Sequence, residues 1–253
     1  MSSDNDYILE ASNLGKSFRG FDAVKGVNLK VRRGTVHALI GPNGAGKTTC
    51  FNLLTRFLPV SSGRIVFDGR DITPLDAASV ARLGLVRSFQ ISAVFRQLSV
   101  LDNLRVALLA HDGGSYAFWR SRRALDRYTA RADELLAAVD LGRWREHTAA
   151  DLPYGRKRAL ELATTLALEP SLVLLDEPMA GLGHEDIAPV TQLIADVAKR
   201  CTVLMVEHNM KVVADLCDRI TVLQSGEVLA EGPYEQVSRD PRVLEAYVGG
   251  AVV

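Results

Sequence analysis

Apolar positions along the chain fall into two regimes. Runs such as VHALI at 36–40, LVLL at 172–175 and TVLMV at 202–206 are apolar apart from His37 and Thr202, as expected of strands buried on both faces of a sheet. Elsewhere the spacing is helical: Phe51, Leu54 and Leu58 share a stripe in KTTCFNLLTRFL, and Ile187, Val190, Ile194 and Val197 share another. Up to about residue 72 the pattern predicts short strands, YILEAS, VKGVNLKV, TVHALI and RIVFDG, the last ending in an Asp68-Gly69 turn signal, with the Phe51 helix interrupting them. From about 76 to 170 it turns mostly helical, through LSVLDNLRVALLAH, WRSRRALDRYTARADELLAAV and ALELATTLAL. The strand regime then resumes with SLVLLD and TVLMVE, and ITVLQSGEVLAEG reads as a hairpin about Ser225-Gly226 before a short helical tail. Strands alternating with helices indicate a mainly parallel sheet covered on both faces. The expected organisation is one α/β domain over residues 1–253, in which 1–90 and 171–253 form the core and 91–170 an inserted helical subdomain.

Charge adds little to this picture. Thirty basic residues balance thirty acidic ones, so no global field points to nucleic acid or an anionic membrane. The most basic stretch, WRSRRALDRYTAR at 119–131, is interrupted or followed by Asp126, Asp133 and Glu134 and reads as a solvated helix face. The longest apolar runs are far shorter than the roughly 20 residues that cross a bilayer, and MSSDNDYILE lacks the basic-then-apolar pattern of a secretory signal. A cytoplasmic setting is therefore expected. Cys50, Cys201 and Cys217 have no paired spacing and are expected to behave as small buried hydrophobes.

Candidate chemistry begins at GPNGAGKTT, 41–49, which fits G-x-x-x-x-G-K-[ST] between the strand VHALI and a helical stripe. Gly41, Gly44 and Gly46 let backbone N–H groups face a phosphate chain, Lys47 places a charge near its β and γ groups, and Thr48 offers a hydroxyl to Mg²⁺. Pro42, Asn43, Ala45 and Thr49 complete the loop. A buried strand, SLVLLDEP, delivers Asp176 to its carboxyl end, where open α/β sheets place ligands. Asp176 is expected to hold Mg²⁺ directly or through water. Strand alternation points Glu177 differently, toward a water at the γ-phosphate. DLPYGRKR, 151–158, reads as the mouth of a helix in which a proline stands where a Ser or Thr cap is usual.

Along almost its whole length the sequence resembles the ATP-binding cassette family, the ATPase subunits of transporters. The resemblance implies a P-loop cassette whose mainly parallel core sheet carries an N-terminal antiparallel β subdomain and an inserted α-helical subdomain. It implies that Phe18, in KSFRGFDAV, stacks on adenine, that Gln90, in RSFQISAVF, senses Mg²⁺ and the attacking water, and that His208, in VEHNM, contacts the γ-phosphate. Leu152, Pro153, Tyr154, Gly155 and Arg156 match the signature loop, which in that family faces the ATP held by a partner cassette in a head-to-tail dimer. The family's usual serine is Pro153 here, and an Asp common in the family is Gly183. Pro153 lacks both a hydroxyl and an N–H, and the bond so lost to a charged oxygen costs roughly 1.5 to 3 kcal/mol. Two unequal ATP sites are therefore expected.

GPNGAGKTTCFNLLT, ARLGLVRSFQ, the Tyr-Gly form of the signature, EHNMKVV and DPRVLEAYVGG look like the branched-chain amino-acid uptake ATPases. That likeness implies an importer subunit on the cytoplasmic face of the membrane. Its implied partners are a second, different ATPase subunit (or a second copy of this chain in isolation), two permease subunits and, indirectly, an extracytoplasmic binding protein, with no nucleic acid expected. Importers of urea or short amides are the neighbouring alternative. A soluble cassette ATPase acting on nucleic acid or ribosomes is disfavoured by a single phosphate loop and no sustained heptads, and a binding-only regulatory subunit by the intact Glu177 and His208.

Overall fold

A computed structural model of the chain describes residues 6–88, 94–113 and 123–249. In chain order, β1 (Tyr7–Phe18) and β2 (Phe21–Arg32) form a hairpin, and β3 (Val36–Ile40) runs into α1 (Lys47–Leu54). β4 (Ser62–Phe67), β5 (Arg70–Asp71), α2 (Ala77–Arg82) and β6 (Leu85–Ser88) follow, then α3 (Val100–His111), α4 (Arg123–Asp126), α5 (Thr129–Ala138) and α6 (Tyr154–Leu166). The last part comprises β7 (Leu172–Asp176), α7 (His184–Ala198), β8 (Thr202–Val206), α8 (Met210–Leu216), β9 (Arg219–Gln224), β10 (Glu227–Gly232), α9 (Tyr234–Val237) and α10 (Pro241–Gly249).

The chain divides into two compact units. The first comprises 1–87, 171–178 and 198–253. It holds an antiparallel sheet in the order β2-β1-β4-β5 and a mixed sheet in the order β10-β9-β3-β8-β7-β6. In the mixed sheet β3 lies parallel to both β8 and β9, β7 is parallel to β8, and β9 and β10 form an antiparallel hairpin. Every residue of β3, β7 and β8 is buried, as their largely apolar runs require, with His37, Asp176 and Thr202 the polar residues among them. Leu9, Leu14 and Ile65 of the antiparallel sheet, Phe51 and Leu54 of α1, and Leu174 and Leu204 of the mixed sheet belong to one apolar cluster. Two turns expected from sequence form as two-residue loops with both residues at positive φ: Asp68 (47°) with Gly69 (75°), and Ser225 (50°) with Gly226 (84°).

Helix α1 is shorter than its stripe suggests. α1 stops at Leu54, Thr55 Oγ1 bonds back to the Phe51 carbonyl at 2.7 Å, and Arg56 turns to φ 60°. Leu58 still packs against the same cluster, from beyond the helix. Cys50 and Cys201 are buried as expected, while Cys217 is only partly so, and none of the three is in a disulfide.

The second unit comprises 88–170 and 179–197. It thus takes in most of α7, which the sequence pattern assigns to the core. Pro189, Val190 and Leu193 of α7 line a 370 Å³ cavity together with Gly155 and Ala159 of α6 and the α5 terminus. Helix capping follows local chemistry here, with the Ser99 side chain accepting from Asp102 N at 3.0 Å to start α3.

His37 of β3 is fully buried, and its Nε2 lies 2.8 Å from Thr221 Oγ1 of β9, which bonds Glu231 at 3.2 Å. Burial holds its pKa down to about 4. The unfolded chain protonates the same imidazole near pH 6.5. Between those values the unfolded state binds more protons, so stability falls as pH falls, and the effect is absent above pH 6.5. Denaturant titrations at pH 7 and pH 4 should show the native chain losing about 3 kcal/mol more than His37→Gln over that interval; equal losses would contradict the buried neutral histidine.

Candidate functional site

The loop between β3 and α1 is held by backbone contact. A Cβ on Gly41 (φ 149°) would lie 2.1 Å from the Leu223 carbonyl oxygen, and one on Gly46 (φ 97°) 2.6 Å from that of Ala23. Gly226 N donates to Ala45 O at 3.0 Å while Lys25 N donates to Gly226 O at 2.8 Å, so the β9–β10 turn ties the loop to β2. Gly46 is the left-handed cap of α1, without a side-chain cap, which leaves the first N–H groups of the helix available to an anion.

Lys47 is 7% exposed, and its ammonium donates to the carbonyls of Gly41 (2.7 Å) and Pro42 (2.9 Å). Burial lowers its pKa, and the carboxylates of Glu177 and Asp176 oppose that shift. Residues 43–49 line a cavity of about 270 Å³ with Phe21, Ala23, Glu177 and His208. The loop, the acidic strand end and the histidine expected from sequence are therefore brought to one place.

Glu177 leaves β7 at φ 49°, its N–H bonded to Val206 O at 2.9 Å. This left-handed turn, more than pleat alternation, separates its carboxylate from that of Asp176. Glu177 Oε1 lies 3.1 Å from His208 Nε2, and both side chains are about a third or more exposed. Asp176 is buried and ion-paired with Arg87 of β6, whose other arm reaches Asn52 Oδ1 at 2.5 Å. Asp176 and Thr48 together offer only hard oxygen donors, and a cationic group already sits on the Asp176 carboxylate. This chemistry fits Mg²⁺. Among the described residues there is no cluster of three or more His, Cys, Asp or Glu side chains of metal-binding type.

Phe18 stands at the end of β1, half-exposed, with Lys16 Nζ 5.2 Å from its ring centre. It does not line the phosphate cavity, whereas Phe21, its partner across the hairpin, does. Gln90 lies outside the described residues. Glu207 was missed by sequence reasoning: buried, it accepts the backbone N–H groups of His208 (2.8 Å) and Asn209 (2.9 Å) and fixes the loop that carries the histidine. An acid between a buried strand and a histidine was its only signal. Tyr247 of α10 was missed as well; burial raises its hydroxyl pKa and the Gly41 amide opposes the shift.

In the second unit Pro153 caps α6 without a side-chain bond, and Leu152 is buried. Tyr154 Oη donates to Ala180 O at 3.1 Å and accepts from Arg158 at 3.3 Å. Arg158 pairs with Glu161 at 2.8 Å, and Arg156 pairs with Asp140 at 2.9 Å. The Asp186 carboxylate lies so close to Gly155 that a Cβ there would be 2.6 Å from it. Gly183 has an ordinary φ, with Glu185 beside it.

A glycine phosphate turn, a strand-end Asp-Glu pair and a histidine opposite the glutamate, on a mainly parallel sheet, define an ATP-hydrolysing P-loop protein. The chain belongs to the ABC transporter family, whose pattern matches residues 24–180; that of the branched-chain amino acid ATP-binding cassette transporter matches 227–253. It is 40% identical to the high-affinity branched-chain amino acid transport ATP-binding protein BraF of Pseudomonas aeruginosa, over 96% of this chain and 98% of that one. It is 37% identical to the corresponding protein LivG of Escherichia coli K12, over 96% and 98%. The structure superposes on the ADP conformation of MJ1267, an ATP-binding cassette of an ABC transporter, with a TM-score of 0.83 and 29% identity over 96% and 99% of the two chains.

Gly41 and Gly44 separate steric from torsional demands, since a Cβ on Gly44 (φ 77°) would meet nothing within 4 Å. Gly44→Ala carries only backbone strain, whereas Gly41→Ala adds overlap with a carbonyl, a cost of about 1–3 kcal/mol. Thermal melts and ATP titrations should therefore rank Gly41→Ala clearly worse than Gly44→Ala; the reverse order would contradict the wedge geometry.

Proposed function

We propose that the chain is the ATP-hydrolysing subunit of an importer for branched-chain amino acids, working on the cytoplasmic face of a membrane beneath two permease subunits. The observation that carries the catalytic part is the Glu177–His208 contact of 3.1 Å at the mouth of the cavity formed by the phosphate turn. The substrate assignment rests on likeness to the relatives named above, including the C-terminal pattern at 227–253. Among the described residues no helix is long and apolar enough to cross a membrane.

In this reading the backbone N–H groups of 44–49 take the β- and γ-phosphates, and Lys47 exchanges the carbonyls of Gly41 and Pro42 for phosphate oxygens. Thr48 and Asp176 hold Mg²⁺, which when bound neutralises charge on those phosphates; Gln90 is proposed as a further ligand. Glu177 orients and polarises the attacking water, and His208 holds Glu177 and reaches the γ-phosphate. Phe18, with Phe21 nearer the cavity, supports the adenine. The residues Leu152, Pro153, Tyr154, Gly155 and Arg156 serve a partner's ATP in a head-to-tail pair with a second ATPase subunit.

Two experiments test this reading. Glu177→Gln should bind ATP with nearly native affinity while turnover in the assembled complex falls by about 10²- to 10⁴-fold; retention of most activity would remove Glu177 from the mechanism. Pro153→Ser should restore a bond to the partner's γ-phosphate of roughly 1.5 to 3 kcal/mol, raising ATP affinity or turnover at that site by about tenfold or more. An unchanged complex would show that the two sites do not differ through this residue.

A further inference from the structure

Arg87 is unassigned by the reading above, yet it touches both halves of the nucleotide site. It stands on β6, and its guanidinium makes an ion pair with the Asp176 carboxylate at the end of β7. The other arm bonds Asn52 Oδ1 of α1 at 2.5 Å, one helical turn beyond Thr48, and its Cζ lies 5.9 Å from the centre of the Phe51 ring. The two charged side chains are 10% and 9% exposed. A buried ion pair of this kind is held by mutual compensation: removing one member strands the other, whereas removing both is nearly neutral.

We infer that Arg87 is the resident counter-ion of Asp176 in the nucleotide-free site, a positioning residue that a divalent cation must displace or share the carboxylate with. The inference rests on the reading of Asp176 as a Mg²⁺ ligand. Its logic is electrostatic. A guanidinium stays charged at every working pH, so it repels a dication drawn to the same carboxylate. The repulsion acts in a partly desolvated setting, where charge interactions are strong. Bulk water does not screen it away, and the Asn52 bond and Phe51 contact keep the guanidinium from swinging clear at no cost. Arg87 therefore sets a threshold: Mg²⁺ arriving alone competes poorly, and Mg²⁺ arriving with phosphates, which bring their own negative charge, wins. Because Asn52 lies on the helix that the phosphate turn opens, release of Asp176 also loosens a tie between α1 and the end of β7.

The test uses the full-length chain, with ADP titrated calorimetrically at a series of Mg²⁺ concentrations and melting temperatures recorded with and without Mg²⁺. Asp176→Asn examines the underlying reading: it should abolish the Mg²⁺ dependence of ADP binding, and a native dependence would remove Asp176 as a ligand whatever Arg87 does. Arg87→Gln should lower the Mg²⁺ half-saturation by about tenfold or more, and Mg²⁺ alone should raise its melting temperature more than that of the native chain. Arg87→Lys keeps the charge and should stay near the native half-saturation. An unchanged or increased half-saturation in Arg87→Gln would overturn the inference. If Arg87→Gln fails to fold without metal, the double variant Arg87→Gln/Asp176→Asn decides: it should fold and melt above either single variant, close to the native chain, with no response to Mg²⁺. A double variant as unstable as Arg87→Gln alone would show that Arg87 serves some other partner, and the inference fails.

Discussion

Backbone packed directly on backbone is the constraint from which the phosphate site follows. Gly41 meets the Leu223 carbonyl, and Gly46 and Gly226 both approach the carbonyl of Ala23, with ideal Cβ positions 2.1 to 2.8 Å from those oxygens. No side chain fits at these crossings. The loop is thereby clamped from three sides, by β2, by the end of β9 and by the β9–β10 turn. A loop so held presents its amides in one direction, and the N-terminal amides of α1 continue the same surface. The ammonium of Lys47, kept from water, finds carbonyl partners inside the loop itself and waits beside the space it would serve.

The acidic half of the site is arranged by a change of backbone region at a single residue. Asp176, still in the strand, is buried and compensated by Arg87. Glu177, at φ 49°, has left the strand, and its carboxylate faces His208 instead. A left-handed glutamate costs of order 1 kcal/mol or more and persists only where surroundings fix it; here its N–H is fastened to Val206 O. Two adjacent carboxylates thus acquire different partners and different exposure. The histidine is equally fixed from behind, because Glu207 ties down its own amide and the next one.

Much of this was legible because it is written in local sequence. The GPNGAGKTT spacing, the largely apolar runs of β3, β7 and β8, and the Asp68-Gly69 and Ser225-Gly226 turns each depend on residues close in the chain. What the pattern did not disclose depends on residues far apart. Arg87 and Asp176 are 89 positions apart, and nothing near Arg87 announces that it faces an acid. Phe21 lines the cavity because the β1–β2 hairpin turns at Arg19-Gly20, a register that aromatic content alone does not fix. The stripe on α7 marked a buried face correctly in Val190, Ile194 and Val197, but periodicity says which face is buried and not against what. α7 consequently groups with the helical unit.

The signature helix shows how a missing cap can be structural and electrostatic at once. Pro153 at φ −55° and ψ 155° gives the chain an entry to α6 that needs no side-chain acceptor, and Lys157 N closes the first turn on Pro153 O at 3.0 Å. The orphan amides of that turn are not left in a neutral setting. Asp186 sets a carboxylate against Gly155, which favours the helix dipole while opposing any second anion that approaches. Tyr154 meanwhile fastens the turn to the 180–183 segment through Ala180 O. A helix start without a hydroxyl acceptor, with a carboxylate beside it, keeps its shape through the backbone of Pro153 and the Tyr154 contact.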